Sequence, residues 1–175
     1  HGIASPVGRT RTAPGPGAAV DRLRICYGTC QKYEVGYYAA WRHAVEEDPD
    51  LILFLGDYIY EGAPSPGGVR MHLNPEPTDL AGYRVRYATY KLDALLQAAH
   101  ATAPWAMTWD DHEVANDYAN DLDENNGERA PFLLRRAAAY QAYWEHMPLR
   151  RRSRPHGTAM QLYRTLDWGG LAQFQ

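Results

Sequence analysis

The sequence predicts an α/β fold, a largely parallel sheet core flanked by helices, and three observations carry that prediction. Leu51-Ile-Leu-Phe-Leu55 is a continuous apolar run with no polar face, the pattern of a strand buried on both sides, as in parallel sheets. Residues 22–29 and Pro104–Trp109 are further strand candidates, and segments of helical periodicity lie between them. The resulting order is β-α-β-α-α-β-loop-α-β-β, an alternation that defines the α/β class.

The elements follow in order. Residues 1–19 hold Pro6, Pro14 and Pro16 with Gly2, Gly8, Gly15 and Gly17. They contain no apolar h-region and no initial Met, so they read as an extended linker and the chain as part of something longer. Residues 22–29 make the first strand, running into a turn. Gly36–Glu47 is helical, with Tyr37, Trp41, Ala44 and Val45 at i, i+4, i+7 and i+8. A Pro- and Gly-rich loop spans Gly62–Pro77, after the Leu51–Leu55 strand. Helices cover 79–99, broken near Asp93, and Pro104–Trp109 is the third strand. Beyond an acidic loop, Pro131–Met147 is a helix: Pro131 suits its first turn, Leu133, Ala137, Tyr140 and Trp144 form its stripe, and Pro148 stops it. Met160–Asp167 and Leu171–Gln175 read as a β-hairpin around Gly169-Gly170.

Composition bounds the function. A chain of 175 residues suits one domain, which would bury roughly 70% of its unfolded surface. Hydrophobic residues at 45% and charged residues at 22% exclude a disordered tail, a collagen-like rod and a disulfide-dense miniprotein. No apolar run approaches the roughly 18 residues of a membrane span, so no transmembrane segment is expected. Eighteen basic against 21 acidic residues give a net charge of −3, which offers no general electrostatic case for nucleic-acid or membrane binding. Eight of the 21 acids fall between Asp110 and Glu128, while Arg150, Arg151, Arg152 and Arg154 form a basic run. Lysine occurs only at Lys32 and Lys91, an arginine preference that reads first as genomic composition.

Several chemistries can be set aside. The serines, Ser5, Ser65 and Ser153, lie outside any G-x-S-x-G elbow, and no P-loop or strand-borne G-x-G-x-x-G occurs. Asp121–Gly127 faintly echoes a calcium loop, but Asn126 stands where an EF-hand needs Gly and Phe132 where it needs its bidentate Glu. Cys26 and Cys30 on one strand face would be about 13 Å apart, beyond disulfide reach. One can be core and the other a ligand.

Three segments carry ligand chemistry, each after a strand. Leu55-Gly-Asp57-Tyr-Ile-Tyr60-Glu61 places Asp57 beyond a strand's carboxyl end, where open α/β sheets bind ligands. Thr108–Tyr118 packs Asp110, Asp111, His112, Glu113, Asn116 and Asp117 into eight residues. Charges this dense repel, and a hard cation relieves the repulsion. Thr29-Cys30-Gln31 ends the first strand. Singly, these read as a turn, a solvated acidic loop and a packed thiol. Three strand ends that each carry a ligand-type residue describe a dinuclear metal site on a sheet edge.

Gly28–Gln31, Leu55–Glu61 and Trp109–Tyr118 together resemble the PhoD alkaline phosphatases, a branch of the calcineurin-like metallophosphoesterases. Ser5–Pro14 is similar to that family's linker, and Ala137–Pro148 to its helix after the acidic loop. The resemblance implies half of a metallophosphoesterase-like α/β sandwich over residues 20–175, after a linker at 1–19. It implies hydrolysis of phosphate monoesters and/or diesters by a hydroxide bridging Fe(3+) and Ca(2+). Cys30, Asp57 and Tyr60 would hold the iron, with Asp57 bridging to calcium, and Asn116 and Asp111 would serve the second metal. His112 would donate to the phosphate or the leaving oxygen. Thiolate and phenolate suit trivalent iron, carboxylate and amide oxygens calcium.

The family completes its site with histidines of a later Gly-Asp-x-His segment, which this sequence lacks. The chain is therefore expected to carry part of the catalytic domain and to expose a sheet face needing a partner segment or a second copy. An extracellular or cell-surface location rests on the resemblance alone. Two alternatives stand beside the phosphatase: a non-catalytic metal-binding or interaction fragment, and the same enzyme acting on phospholipid, teichoic acid or nucleotide diesters.

Overall fold

Three parallel strands, β1 (Ile25–Gly28), β2 (Leu51–Leu55) and β3 (Trp105–Thr108), form a sheet in that order with β2 central. The computed structural model describes the chain apart from His1, Ser5 and Asn126. The linker expectation at His1 and Ser5 and the calcium-loop reading at Asn126 lie outside the described residues. Register pairs Cys26 with Ile52 and Gly28 with Phe54, and Ile52 in turn with Trp105. Helix α1 (Ala39–Glu46) connects β1 to β2; α2 (Leu80–Tyr90) and α3 (Ala94–Thr102) connect β2 to β3. After β3 come α4 (Arg129–His146), which packs on α2, and an antiparallel hairpin of β4 (Leu166–Trp168) and β5 (Ala172–Phe174). The α/β architecture is as the sequence predicts.

The break between α2 and α3 falls where it was expected, for a physical reason. The Asp93 carboxylate accepts from the amides of Leu95 (2.9 Å) and Leu96 (3.0 Å), capping α3. Asp79 caps α2 through the Gly82 amide at 2.7 Å. Helix α1 starts three residues later than expected, leaving Tyr37 outside it and 70% exposed. The Arg70 guanidinium accounts for this. It lies over Tyr33 and Tyr38 and engages the carbonyls of Tyr33 (3.0 Å) and Gly36 (2.6 Å) that a longer helix would use. Residues Tyr33–Val35 form a single 3-10 turn instead.

Helix α4 begins two residues before the expected Pro131, ends at His146 with Met147 as an extended C-cap, and is rotated relative to the expected stripe. Its buried side is Phe132, Arg136, Ala139, Tyr140 and Tyr143, whereas Leu133, Ala137 and Trp144 are half-buried. Aromatic partners from the acidic loop set the rotation: Trp109 stacks on Tyr140 at 4.7 Å and Tyr118 meets Phe132 at 5.8 Å. The hairpin turns at Gly169-Gly170 as expected, but its first strand is only Leu166–Trp168 and residues 160–165 are irregular. There Arg164 donates to the Met107 and Leu162 carbonyls, both at 2.9 Å.

The two sheet faces differ. Ile52, Phe54, Trp105 and Met107 face the helices and are buried, with Trp41 of α1 lying against Phe54 and Trp105. On the other face Tyr27 is 75% exposed and Leu55 50%, so two-sided burial of β2 fails at its carboxyl end. The β4–β5 hairpin covers this face only in part, leaving an open cavity of about 450 Å³ beside Leu53, Leu55, Met160, Leu162 and Phe174. The first residues hold no helix or strand among those described, yet they lie on the domain: the Arg9 amide donates to Ala101 and Arg11 pairs with Asp50. Among the described residues no helix is long and apolar enough to cross a membrane.

Candidate metal centre

The parallel sheet brings the carboxyl ends of β1, β2 and β3 to one edge, and the chain turns sharply there. Cys30, Asp57 and Asp117 all have positive φ, at 56°, 56° and 51°, a left-handed conformation rare outside Gly, Asn and Asp. Gly56, at φ 108°, is required by space as well. A Cβ on it would stand 2.6 Å from the Asp110 amide nitrogen and Cβ. The bare backbone at Gly56 lets the loop after β3 touch the loop after β2. The Cys30 and Gln31 amides, donating to Gly56 and Asp57 carbonyls at 3.1 Å, attach the loop after β1.

A buried carboxylate locks the loops after β2 and β3 together. Glu113, 1% exposed, accepts from the amides of Asp57 (3.2 Å), Asp110 (2.9 Å) and Tyr58. Burial pushes its carboxyl up to about 7, against the pull of the Asp110 and Tyr58 amides.

This scaffold brings Asp57, Asp111 and His112 together, each offering one ligand atom within 4.8 Å of the others. Asp57 is buried, and its Oδ2 accepts from the Tyr60 hydroxyl at 3.0 Å. Its Oδ1 is also buried and has no hydrogen-bond partner among the described residues. An ionised oxygen in that position is costly unless a cation or donor meets it. The nearby Asp110 carboxyl is raised by burial and by the charges of Asp57 and Asp111. Asp111 Oδ2 accepts from the Asp117 amide at 2.6 Å.

His112 is oriented from behind. Its Nδ1 meets Glu61 Oε2 at 2.8 Å, leaving Nε2 as the ring atom able to ligate or donate. Burial pulls its pKa down, but the Glu61 hydrogen bond and the charges of Glu61, Asp111 and Asp57 outweigh that and hold it above the ordinary value. Glu61 is buried too, which pushes its carboxyl up; His112 and the Asn116 amide, donating to Oε1 at 2.5 Å, bring it below the usual range.

The remaining predicted residues surround this group. Tyr60 joins Asp57 through its hydroxyl, and its ring lies 4.1 Å from that of His112. Burial raises its phenol, and Asp57 and then Cys30 raise it further. Cys30 is exposed, with Sγ 3.2 Å from the Thr29 hydroxyl. The Asn116 side chain is held by acidic neighbours. Its Nδ2 donates to Glu124 at 2.6 Å and Asp117 at 3.2 Å. Sequence reasoning passed over Glu61 and Glu113 as ligand-orienting groups. Both lie inside the motifs, but as acids among many acids; only their burial marks them.

Comparison with known proteins gives three findings. The family described as PhoD-like phosphatase matches residues 25–175. The chain is 53% identical to alkaline phosphatase D of Bacillus subtilis (strain 168), over 97% of this chain and 30% of that protein. A solved structure of PhoD superposes with a TM-score of 0.93 at 53% identity, over 97% of this chain and 33% of the solved one. The chain thus spans about a third of the length of these relatives.

Proposed function

This chain belongs to the PhoD-like phosphatase family, and from that premise we propose that it supplies the metal-holding edge of a centre that hydrolyses phosphate monoesters and/or diesters. One observation carries the reading: the buried, partnerless Oδ1 of Asp57 beside Asp111 and His112. The donor set fits a metal pair. Cys30, Tyr60 and Asp57 would hold Fe(3+), a cation that thiolate and phenolate suit, and Asp57, Asp111 and Asn116 would serve Ca(2+) through oxygen. When bound, such metals polarise phosphoryl oxygens and lower the pKa of a water for in-line attack.

The chain's own residues do the rest. Glu113 fixes the loops after β2 and β3 so that two carboxylates of like charge, Asp57 and Asp111, stay together. Glu61 holds the Nδ1 side of His112 and stabilises its protonated form, and Nε2 delivers that proton to the departing alcohol oxygen. No side-chain nucleophile is needed. An extracellular or cell-surface location is part of the proposal and rests on the family resemblance alone.

The test is hydrolysis of p-nitrophenyl phosphate and bis-p-nitrophenyl phosphate by the metal-loaded protein. Asp57→Asn abolishes turnover of whichever ester is used; unchanged turnover would sink the site assignment. The ratio of the two rates sets the monoester or diester preference.

A further inference from the structure

One face of α2 reaches the candidate centre without entering it. Tyr83, Arg86 and Tyr90 lie at i, i+3 and i+7, on one side of the helix, and all three are fully buried. The Tyr83 hydroxyl donates to the Val114 carbonyl, in the loop after β3. Arg86 and Tyr90 both act on Tyr60, in the loop after β2.

The Tyr90 hydroxyl uses its whole hydrogen-bonding capacity. It accepts from the amides of Tyr60 (2.9 Å) and Tyr33 (3.3 Å) and donates to His72 Nε2 at 3.2 Å. A neutral His72 is required for that last bond, and burial, reinforced by the Arg86 charge, pushes its pKa down to about 4. His72 Nδ1 then donates to the Gly62 carbonyl at 3.2 Å.

Arg86 supplies the complement. Nη1 donates to the carbonyls of Tyr60 and Gly62, Nε to the Asn74 side chain, and Nη2 to the carbonyls of Asn74 and Pro75. Five contacts match the five N–H groups of a guanidinium, and Arg86 has no ion pair among the described residues. Tyr60 is thereby gripped at both its amide and its carbonyl, between a ring that faces His112 and a Glu61 that orients it.

We propose that Tyr90, with Arg86 one turn away, is a positioning residue of this centre: gripping the Tyr60 main chain, it aims the Tyr60 phenol at Asp57 and the Glu61 carboxylate at His112. The role rests on the phosphoesterase reading of the site, but the geometry can be tested apart from it. Tyr90→Phe keeps the ring and removes the hydroxyl. Tyr87→Phe is the matched control on the same helix, since the Tyr87 hydroxyl is buried without a partner among the described residues.

In the 175-residue chain, amide exchange and ring-to-ring contacts are read by NMR. Tyr90→Phe is expected to speed exchange of the Tyr60 amide about tenfold and to weaken the Tyr60–His112 ring contact. Amides of β2 and α4 keep their wild-type rates, and Tyr87→Phe changes neither signal. Equal behaviour of the two variants, or acceleration of all amides together, overturns the proposal.

In the metal-loaded protein, Tyr90→Phe and Arg86→Lys lower kcat for p-nitrophenyl phosphate about tenfold with KM unchanged. A change confined to KM overturns the positioning role. Asp57→Asn separates the two ideas. Should it leave turnover intact while Tyr90→Phe still frees the Tyr60 amide, the phosphoesterase reading fails and the grip stands. Should it abolish turnover while Tyr90→Phe matches Tyr87→Phe, the reading stands and the grip fails.

Discussion

Asp57 and Arg86 are both buried charges, joined by the same loop, and the protein treats them in opposite ways. Arg86 is surrounded by carbonyl and amide oxygens that use every N–H it has. Asp57 sits three residues before Tyr60 with one carboxylate oxygen satisfied and the other left without a partner among the described residues. Interiors tolerate a buried charge when its hydrogen bonds are complete, and a deficit needs an explanation. Completeness at Arg86 belongs to the scaffold. The deficit at Asp57, next to Asp111 and His112, belongs to the proposed metal centre.

The contrast predicts opposite signs for substitution at the two positions. Asp57→Asn lowers turnover of the metal-loaded protein on the order of a thousandfold, yet raises the melting temperature of the metal-free protein, because it removes an unpaired buried charge. A lower melting temperature would show that Asp57 is already satisfied. Arg86→Met does the reverse to the scaffold. It strands the carbonyls of Tyr60, Gly62, Asn74 and Pro75, and urea unfolding should show a loss of about 3–5 kcal/mol. A loss below about 1 kcal/mol would mean that water replaces the guanidinium at little cost.

Glu61→Gln lies between these extremes, since Glu61 is fully bonded yet touches His112. Its expected cost is about 10–100-fold in kcat, with little change in unfolding free energy. Comparable losses in both would place Glu61 with the scaffold.

A separate effect is on pH dependence. His100 stacks on Trp105 at 3.9 Å, and its Nε2 shares a hydrogen bond with the Tyr58 hydroxyl at 2.8 Å. Burial, and then Lys91, push its pKa down to about 3, while burial and Lys91 likewise push His146 down to about 4. Both stay neutral in the folded protein below the pH at which an unfolded histidine takes up a proton, near 6.5. The unfolded state then binds more protons, so stability falls as pH drops from about 6.5 towards 4. His100→Phe should flatten that decline in urea unfolding measured across this range; an unchanged slope would remove His100 from the explanation.

The parts of this molecule legible in its sequence are those decided locally. Leu51–Leu55 announced the central strand because five apolar residues in a row need cover. Asp93 announced the break between α2 and α3 because an Asp carboxylate satisfies the free amides at the start of the helix that follows it. The start of α1 was not legible, because it is set by Arg70, more than thirty positions away. The rotation of α4 was not, because Trp109 and Tyr118 choose which side is buried. At the proposed centre, residue types named Asp57, Asp111 and His112. Glu61 and Glu113 needed the fold, since what distinguishes them from other acids is the amides and imidazole they meet across the sheet edge.

The most direct test of the claim that Asp57 marks a metal centre is elemental analysis of wild-type and Asp57→Asn protein after loading with iron and calcium and exhaustive dialysis. The account predicts that the wild-type chain retains metal and that Asp57→Asn, folded and no less stable, loses it. Equal metal content in the two proteins would contradict it.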